Sequence, residues 1–306
     1  MRGSLGSLDP FDIPSIPKNG IHYTGGLASS ALEDLLKFMS SSQLAQSLGA
    51  EKPGVSPANR SLERGIEILR SFRPGSELLG NAEIAERTGL SRSTVSRLTQ
   101  TLVGSGYLQV EPRSRAYRLA PAVLSLAHAM RSGSTALAIA APHMRDAAQA
   151  KRINVGLAAP DRDEMVYLES IRYNRRPSLR RVVSGQRVPM ELTSLGRAYL
   201  ATAPEGQRKA LLAHFRRTRR TQWAELGPAL TAAIRDVEEK GFCAAAWQPE
   251  VVALATPLLF KGSRYALNVS LSTAEPFTAV VRELAPTLLA LRARIQHQLD
   301  AATDAW

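Results

Sequence analysis

Apolar residues recur with a helical period in two stretches of the first half of the chain, 61–72 and 81–100. The apolar face of the first stretch consists of Leu62, Ile66, Leu69 and Phe72. The second stretch contains two short helical patterns that meet at Gly89. Glycine adopts a left-handed backbone at little cost, so the chain can turn sharply there. These patterns predict one helix followed by a helix-turn-helix unit.

The helix-turn-helix unit predicted over 81–100 has an apolar side and a polar side. A small residue, Ala85, falls where the two helices must nearly touch, and apolar plugs occur at Ile84, Leu90, Val95 and Leu98. The outward polar residues of the second helix are Arg92, Ser93, Thr94, Ser96, Arg97 and Gln100. Such side chains contact phosphates and base edges in DNA. We therefore expect this helix to bind the major groove through its N-terminal end, without specifying which arginine reads guanine.

From 107 to 119 the apolar period changes to about two, which predicts a two-stranded hairpin. The predicted pairing joins Tyr107, Leu108 and Val110 with Tyr117 and Leu119. A hairpin directly after a helix-turn-helix is the wing of a winged helix. Arg113 and Arg115 lie on this wing and are candidates for contacts with phosphates or the minor groove.

The remaining patterns divide the chain into four segments. Residues 1–58 form an N-terminal extension whose leucine-rich centre predicts either an amphipathic helix that docks on a partner or a weakly ordered tail. Residues 59–120 form the winged helix. Pro121 opens a helix that Gly133 interrupts, so 121–133 is predicted to be a linker helix. Residues 134–306 alternate strands and helices, which predicts an α+β fold for this part of the chain.

Composition narrows the class of partner. The chain has 306 residues, of which 44% are apolar, with a net charge of +12 and a pI near 10.3. A basic balance favours a polyanion such as nucleic acid. No apolar run of membrane-spanning length and no signal peptide occur, so we expect no membrane partner and a cytoplasmic location. Cys243 is the single cysteine and the five histidines are scattered, so we expect no disulfide, metal or cofactor.

Enzymes form the weakest alternative class. The chain contains no nucleophile elbow, zinc-protease motif, phosphate-binding loop or dinucleotide fingerprint. The other alternative is an architectural DNA-binding protein without an effector. The size of segment 134–306 argues against it, because a DNA anchor needs far fewer residues.

Three stretches together resemble the isocitrate lyase regulator (IclR) family of bacterial transcription factors. They are RSTVSRLTQTLVGSGYL followed by YRLAP, then GQRVPMELTSLGRAYLA, and then GFCAAAWQPEVVALATPLLF with LNVSLS. The resemblance covers 61–299. It implies a winged helix joined by a linker helix to a GAF-like domain that binds a small effector. It also implies homodimers, often paired into homotetramers, on palindromic double-stranded operators of metabolic operons. The sequence does not say whether the protein is a repressor or an activator.

The resemblance places effector contacts on two elements. One is a loop at a helix N-terminus, where free N–H groups suit an anion; its residues are Thr193, Ser194, Leu195 and Gly196. The other is a strand on which Ser270 and Ser272 share one face. Apolar walls are expected from Met190, Leu192 and Trp247, for which core packing is an equal alternative. For the hydroxyl groups, hydrogen bonds to backbone are the alternative role.

The expected effector is a small carboxylate, and an aromatic carboxylate is one option. Six arginines lie in the stretch 172–187 without an acid, and one of them could clamp the carboxylate; a solvated surface or a subunit contact is the alternative role. The sequence departs from the family pattern at three places. Alanines at 244–246 stand where an acidic pair is usual, Val252 and Ala253 replace the usual Cys or Gly-Val, and Ser272-Thr273-Ala274 replaces the usual Ser-Gly-Pro. These departures predict an apolar pocket. We expect the effector to change the spacing of two winged helices through the linker helix.

Overall fold

The computed structural model describes residues 59–173, 183–248 and 250–304. The extension 1–58, with its predicted amphipathic helix, lies outside these residues. The described chain folds into a winged-helix unit and a larger C-terminal unit, connected by one helix.

The winged-helix unit has three helices and a small antiparallel sheet. Its helices are α1 (Arg60–Ser71), α2 (Asn81–Thr88) and α3 (Arg92–Gly104), and its strands are β1 (Leu79–Gly80), β2 (Leu108–Glu111) and β3 (Ala116–Leu119). The strand order is β1-β3-β2. Leu108 pairs with Leu119 and Val110 pairs with Tyr117, which confirms the predicted hairpin. Strand β1 was not predicted from the sequence, because two residues carry no periodicity.

The turn between α2 and α3 has the predicted glycine. Gly89 ends α2 with a φ of 68°, a left-handed conformation that suits glycine. The hydroxyl of Ser91 then accepts a hydrogen bond from the Thr94 N–H (3.3 Å) and caps α3. Ile84, Val95 and Leu98 are buried between the helices, as predicted.

The prediction for the apolar face of α1 was partly wrong. Ile68 and Phe72 are buried in the winged-helix core, but Leu62 is 63% exposed and Ile66 is 44% exposed. The helix therefore carries two apolar stripes, and only one of them packs within the unit.

Helix α4 (Ala122–Ser132) connects the two units, and none of its residues is buried. Gly133 ends it, and the Ser134 hydroxyl caps the next helix, α5 (Thr135–Lys151). Arg131, at the end of α4, donates hydrogen bonds to the Leu168 carbonyl and to the Glu169 carboxylate, the latter at 2.8 Å. The connecting helix is thus attached to a strand of the C-terminal unit.

The C-terminal unit is a six-stranded antiparallel sheet between two helical layers. The strands are β4 (Asn154–Asp161), β5 (Glu164–Ile171), β6 (Arg187–Pro189), β7 (Cys243–Gln248), β8 (Val251–Phe260) and β9 (Ser263–Ser272), in the order β6-β5-β4-β9-β8-β7. The helices that follow α5 are α6 (Ser194–Thr202), α7 (Glu205–Thr218), α8 (Trp223–Lys240) and α9 (Phe277–Asp304). Helices α5 and α9 cover one face of the sheet, and α6, α7 and α8 cover the other.

A group of ion pairs joins the two units. We call it the ion-pair junction, and it consists of Glu67, Arg70, Arg73, Asp161, Arg162, Glu164 and Arg187. Arg70 meets Asp161 at 2.7 Å, and Arg73 meets Glu164 at 2.8 Å. The other pairs are Glu67 with Arg162 and Arg187 with both Asp161 and Glu164. Residues of α1 and the segment after it are thereby held against the β4–β5 turn and β6.

Candidate nucleic-acid interface and ligand cavity

The N-terminal half of α3 presents polar side chains to solvent. Arg92, Ser93, Arg97 and Gln100 are exposed, and Thr94 and Ser96 are half-buried. The hydroxyls of Ser93 and Thr94 lie 3.1 and 2.9 Å from the Ser91 hydroxyl. Within the described residues, neither Arg92 nor Arg97 has an ion pair. These two guanidinium groups can therefore bind an external anion without breaking a pair in the protein.

The wing carries the other predicted DNA contacts. Arg113 and Arg115 are exposed in the β2–β3 turn, and Arg115 has a φ of 50°. Arg118 lies across the hairpin, 3.8 Å from the Glu111 carboxylate. The exposed end of α3 and the wing tip thus both offer arginines, which is the arrangement by which a winged helix binds a groove and the neighbouring backbone.

A narrow cavity lies on the sheet face that also packs against α6. Its lining residues come from β4, β5, β7, β8, β9 and the ends of these strands: Asn154, Val155, Gly156, Tyr167, Ser170, Arg172, Gln248, Val251, Asn268, Ser270 and Ser272. It encloses ≈ 450 Å³ of empty space, including the solvent at its open mouth.

Most of the residues that line this cavity are polar, and the apolar effector pocket that the sequence predicts stays a prediction. Asn268 is 5% exposed and Ser270 and Ser272 follow on the same face of β9. The Oδ1 atoms of Asn154 and Asn268 are buried and have no hydrogen-bond partner among the described residues. Burial raises the pKa of Tyr167 far above its ordinary value, although a hydrogen bond with Asn268 opposes this shift. Tyr167 therefore stays neutral at any physiological pH.

Only part of the predicted effector set lies at this cavity. Ser270 and Ser272 line it, whereas the residues of the other predicted element do not: Met190, Leu192, Thr193, Ser194, Leu195, Gly196 and Trp247. Of these, Leu192 and Trp247 are partly buried and the rest are buried. The Thr193 hydroxyl accepts from the Gly196 N–H (3.3 Å) and donates to the Pro189 carbonyl (2.9 Å). One N–H of the predicted anion site is therefore satisfied within the protein.

Five polar cavity residues were not predicted from the sequence: Asn154, Tyr167, Ser170, Gln248 and Asn268. A signal for Asn268 was present, because it lies two residues before Ser270 on a strand and thus shares its face. Of the arginine run, Arg172 lines the cavity and Arg187 belongs to the ion-pair junction. Arg175, Arg176, Arg180 and Arg181 lie outside the described residues.

The single cysteine lies beside the predicted effector loop. Cys243 is 1% exposed, and its Sγ lies 3.4 Å from the Ser194 carbonyl oxygen. Burial raises the pKa of this thiol to about 12. The thiol is thus protonated and shielded, which suits a small buried side chain rather than a redox-active one.

Comparisons with known proteins agree with the two-unit architecture. The family model for the IclR helix-turn-helix domain matches residues 61–112, and that for the bacterial transcriptional regulator IclR C-terminal domain matches residues 129–296. In the part of the chain that the structure describes, no helix is long and apolar enough to cross a membrane.

Curated relatives include the HTH-type transcriptional regulator TsaQ1/TsaQ2 of Comamonas testosteroni, 34% identical over 79% of this chain and 89% of the relative. The Pca regulon regulatory protein of Pseudomonas putida is 30% identical over 78% of this chain and 84% of its own length.

Among solved structures, an IclR family transcriptional regulator from Brucella abortus is 35% identical, with a TM-score of 0.71 over 82% of this chain and 97% of that chain. An IclR homologue from Microbacterium hydrocarbonoxydans, solved in complex with 4-hydroxybenzoate, shares the fold at 22% identity, with a TM-score of 0.60 over 79% of this chain and 99% of that chain. These matches span both units, and the protein belongs to the IclR family of DNA-binding transcriptional regulators.

Proposed function

We propose that this protein controls a catabolic operon in response to a small carboxylate effector. The winged helix binds a palindromic operator, and the effector binds the polar cavity of the C-terminal unit. TsaQ1/TsaQ2 and the Pca regulon regulatory protein, two relatives of this chain, carry the names of transcriptional regulators. A protein of the same fold was solved in complex with an aromatic acid, 4-hydroxybenzoate. Because its target is the chromosome, we place its action in the bacterial cytoplasm.

The DNA contacts are proposed to come from α3 and the wing. Arg92 with Ser93 or Thr94 enters the major groove, Ser96, Arg97 and Gln100 flank it, and Arg113 and Arg115 meet the backbone or the minor groove. In a two-fold dimer, two such helices fit successive major grooves about 34 Å apart. The net charge of +12 adds a general attraction to DNA.

The apolar side chains that α1 and α4 expose to solvent support a homodimer. On α4, Leu124 is 73% exposed, Leu126 is 57% exposed and Met130 is 53% exposed. The outer stripe of α1, Leu62 and Ile66, is also exposed. Large apolar groups in these numbers favour burial against another chain, and a second copy suits a palindromic site. Pairing of dimers into tetramers is the further state that the family resemblance implies.

One observation carries the proposed response to effector: strand β5 both lines the cavity and holds the connecting helix. Tyr167 and Ser170 belong to the cavity wall, while the intervening Leu168 carbonyl and Glu169 carboxylate bind Arg131 of α4. A ligand that binds against Tyr167 and Ser170 is proposed to displace β5. That displacement moves α4 and alters the spacing of the two winged helices.

The cavity also suits an acid. Arg172 is the only charged side chain among its described lining residues, so it supplies the positive charge for a carboxylate. The loop of 193–196 with Met190, Leu192 and Trp247 remains a second predicted contact region for a ligand that extends beyond the cavity.

The experiment that tests this function is operator binding with and without effector. A footprint on the promoter region upstream of the gene should be palindromic, with affinity that falls steeply with salt. Arg92→Ala should weaken this binding by about 1–3 kcal/mol. Arg216→Ala, an exposed arginine of α7, is the matched control and should leave affinity unchanged. Binding that ignores sequence, or equal loss in both variants, would refute the specific role of α3.

The effector arm uses the same operator. A carboxylic acid that binds the C-terminal unit should change operator affinity, and DNA should change affinity for the acid by the same factor, typically about 5- to 150-fold. If acids bind without any change in DNA affinity, the proposed regulation is wrong although the binding site exists.

A further inference from the structure

The ion-pair junction holds the winged helix by the C-terminal end of α1. Arg70 lies in the last turn of α1 and pairs with Asp161 at 2.7 Å. Arg73 follows α1 and places both terminal nitrogens of its guanidinium on the Glu164 carboxylate, at 2.8 and 3.1 Å. A two-point contact of this kind fixes direction as well as distance. The winged helix is therefore held in one orientation relative to the C-terminal unit.

The acids of the junction are themselves fixed from behind. Arg187 of β6 has a side chain that is 14% exposed, and it binds both Asp161 and Glu164. Each acid thus lies between Arg187 of its own unit and an arginine of the winged helix. The acids cannot turn to follow a moving winged helix without leaving Arg187. A rotation of the winged helix therefore breaks ion pairs instead of carrying them along.

The orientation imposed at α1 is passed on to α3. Arg87 of α2 donates hydrogen bonds to the Ser71 carbonyl (3.1 Å) and to the Ser76 hydroxyl (3.2 Å), which ties α2 to the end of α1. Ile68 of α1 and Val95 of α3 are fully buried in the same core. The three helices consequently move as one body, and whatever holds the end of α1 also holds α3.

Helix α4 connects the two units but leaves room for rotation. None of its residues is buried, and Arg131 attaches its C-terminal end to β5. The winged helix precedes the N-terminal end of α4, so it can turn about this helix without uncovering any buried residue of α4. The ion pairs of the junction oppose such a turn, because their two sides belong to the units that would separate.

A fixed orientation matters for a dimer that binds two half-sites. One base pair added at the centre of a palindrome moves a half-site by about 3.4 Å and turns it by about 34°, since a helical turn of DNA contains about 10–10.5 base pairs in about 34–36 Å. A winged helix that rotates freely can follow the displaced half-site. A winged helix held by the junction must break ion pairs or twist the DNA.

We infer that Glu67, Arg70 and Arg73 determine which spacing between half-sites the dimer accepts. They are positioning residues that act through α1 and α2 on α3, and none of them belongs to the proposed DNA contacts. This inference rests on the proposed function, because it assumes a two-fold dimer on a palindromic operator. The competing explanation is that contacts of the partner subunit with the exposed stripe of α1, Leu62 and Ile66, set the spacing alone.

A series of operators that differ in spacing tests the inference. The footprinted operator is compared with versions that are one base pair longer or shorter at the centre, and binding of the full chain is measured by fluorescence anisotropy at one salt concentration. The unaltered chain should bind the original spacing about tenfold or more tightly than either altered spacing. An equal affinity for all three spacings would overturn the inference and leave the proposed function intact. Absence of any palindromic operator would overturn the proposed function and this inference with it.

The triple variant Glu67→Gln, Arg70→Ala, Arg73→Ala removes the winged-helix side of the junction. Its preference for the original spacing should fall to about threefold or less, while its affinity for a single half-site stays unchanged because the contacts of α3 are intact. The control Arg216→Ala, in an exposed position of α7, should keep the preference. It removes one positive charge, as the triple variant does on balance by losing two arginines and one glutamate.

A second variant acts from the other side of the junction. Asp161→Asn with Glu164→Gln removes the two acids at nearly constant volume and leaves the sequence of the winged helix unchanged, so it should relax the spacing preference in the same way. Retention of the tenfold preference by either junction variant would overturn the inference and favour the partner contacts. Loss of half-site affinity in place of the preference would also overturn it, because the residues would then serve α3 itself. Thermal melting establishes that each variant is folded.

Discussion

Substitution of Gly196 tests whether the loop 193–196 is shaped by packing rather than by ligand binding. It is the third residue of α6, and a Cβ on it would lie 2.0 Å from the carbonyl oxygen of Met190 and 2.3 Å from its Cα. Real Cβ atoms essentially never approach closer than 3.0 Å, so Gly196→Ala must move backbone by about 1 Å (3.0 − 2.0). Because Met190 and Leu195 are fully buried, this movement propagates into the core.

The expected cost follows from two opposing effects. Overpacking of a core costs roughly 1–3 kcal/mol, and the upper end applies because the obstacle is backbone rather than a flexible side chain. Alanine returns about 1 kcal/mol through its better helix propensity. The free energy of unfolding should therefore fall by about 2 kcal/mol. For a unit of this size, the melting temperature measured by circular dichroism should fall by about 4–8 °C.

Gly206→Ala is the matched control for this prediction. Gly206 is also helical and lies in the same unit, but a Cβ there meets nothing within 4 Å. This variant should be as stable as the original chain or more stable by up to about 1 kcal/mol. Equal melting temperatures for the two variants would refute the packing argument. Unchanged stability of Gly196→Ala combined with loss of the effector response would instead indicate that the glycine serves the ligand.

Three further predictions concern charges and the thiol. The half-buried pair of Arg70 and Asp161 should give a coupling of about 0.5–1 kcal/mol in a double-mutant cycle of alanine variants, smaller in high salt; zero coupling at low salt would contradict the pairing. Burial alone would raise the pKa of Glu169, but hydrogen bonds and the charge of Arg131 outweigh it and hold the pKa below its ordinary value. Its stabilisation is present above the ordinary glutamate pKa and is lost as pH falls through the lowered value, so Arg131→Ala should flatten the acid side of the stability profile. Cys243 should resist alkylation at pH 8 in the native protein and react only in denaturant, and rapid native labelling would refute its burial.

The winged-helix unit could be predicted closely because its signals are local. Gly89 marks its turn through backbone conformation, and the period of two over 107–119 gives the pairing of Leu108 with Leu119. The outward stripe of α1 could not be assigned, since periodicity shows that residues share a face but not whether a neighbour covers it. Leu62 is exposed for that reason.

The cavity was harder to predict because it depends on strands distant in sequence. Asn154 and Asn268 meet only when β4 pairs with β9, and no spacing along the chain reveals that pairing. The motif around Gly196 drew attention to a loop whose residues are mostly buried, because packing and ligand binding can favour the same small and hydroxyl-bearing residues. The shared face of Asn268, Ser270 and Ser272 was the accessible clue.

The ion-pair junction has a consequence for how operator binding depends on salt. Each phosphate that the protein contacts releases counterions, so the slope of affinity against salt ordinarily counts phosphate contacts. In this chain, salt also screens the attraction between Arg70 and Asp161 and between Arg73 and Glu164. Loosening these pairs frees the winged helix from its fixed orientation. Where the proposed operator selects this orientation, high salt weakens binding by a second route. The measured slope then overstates the number of phosphates that the protein contacts.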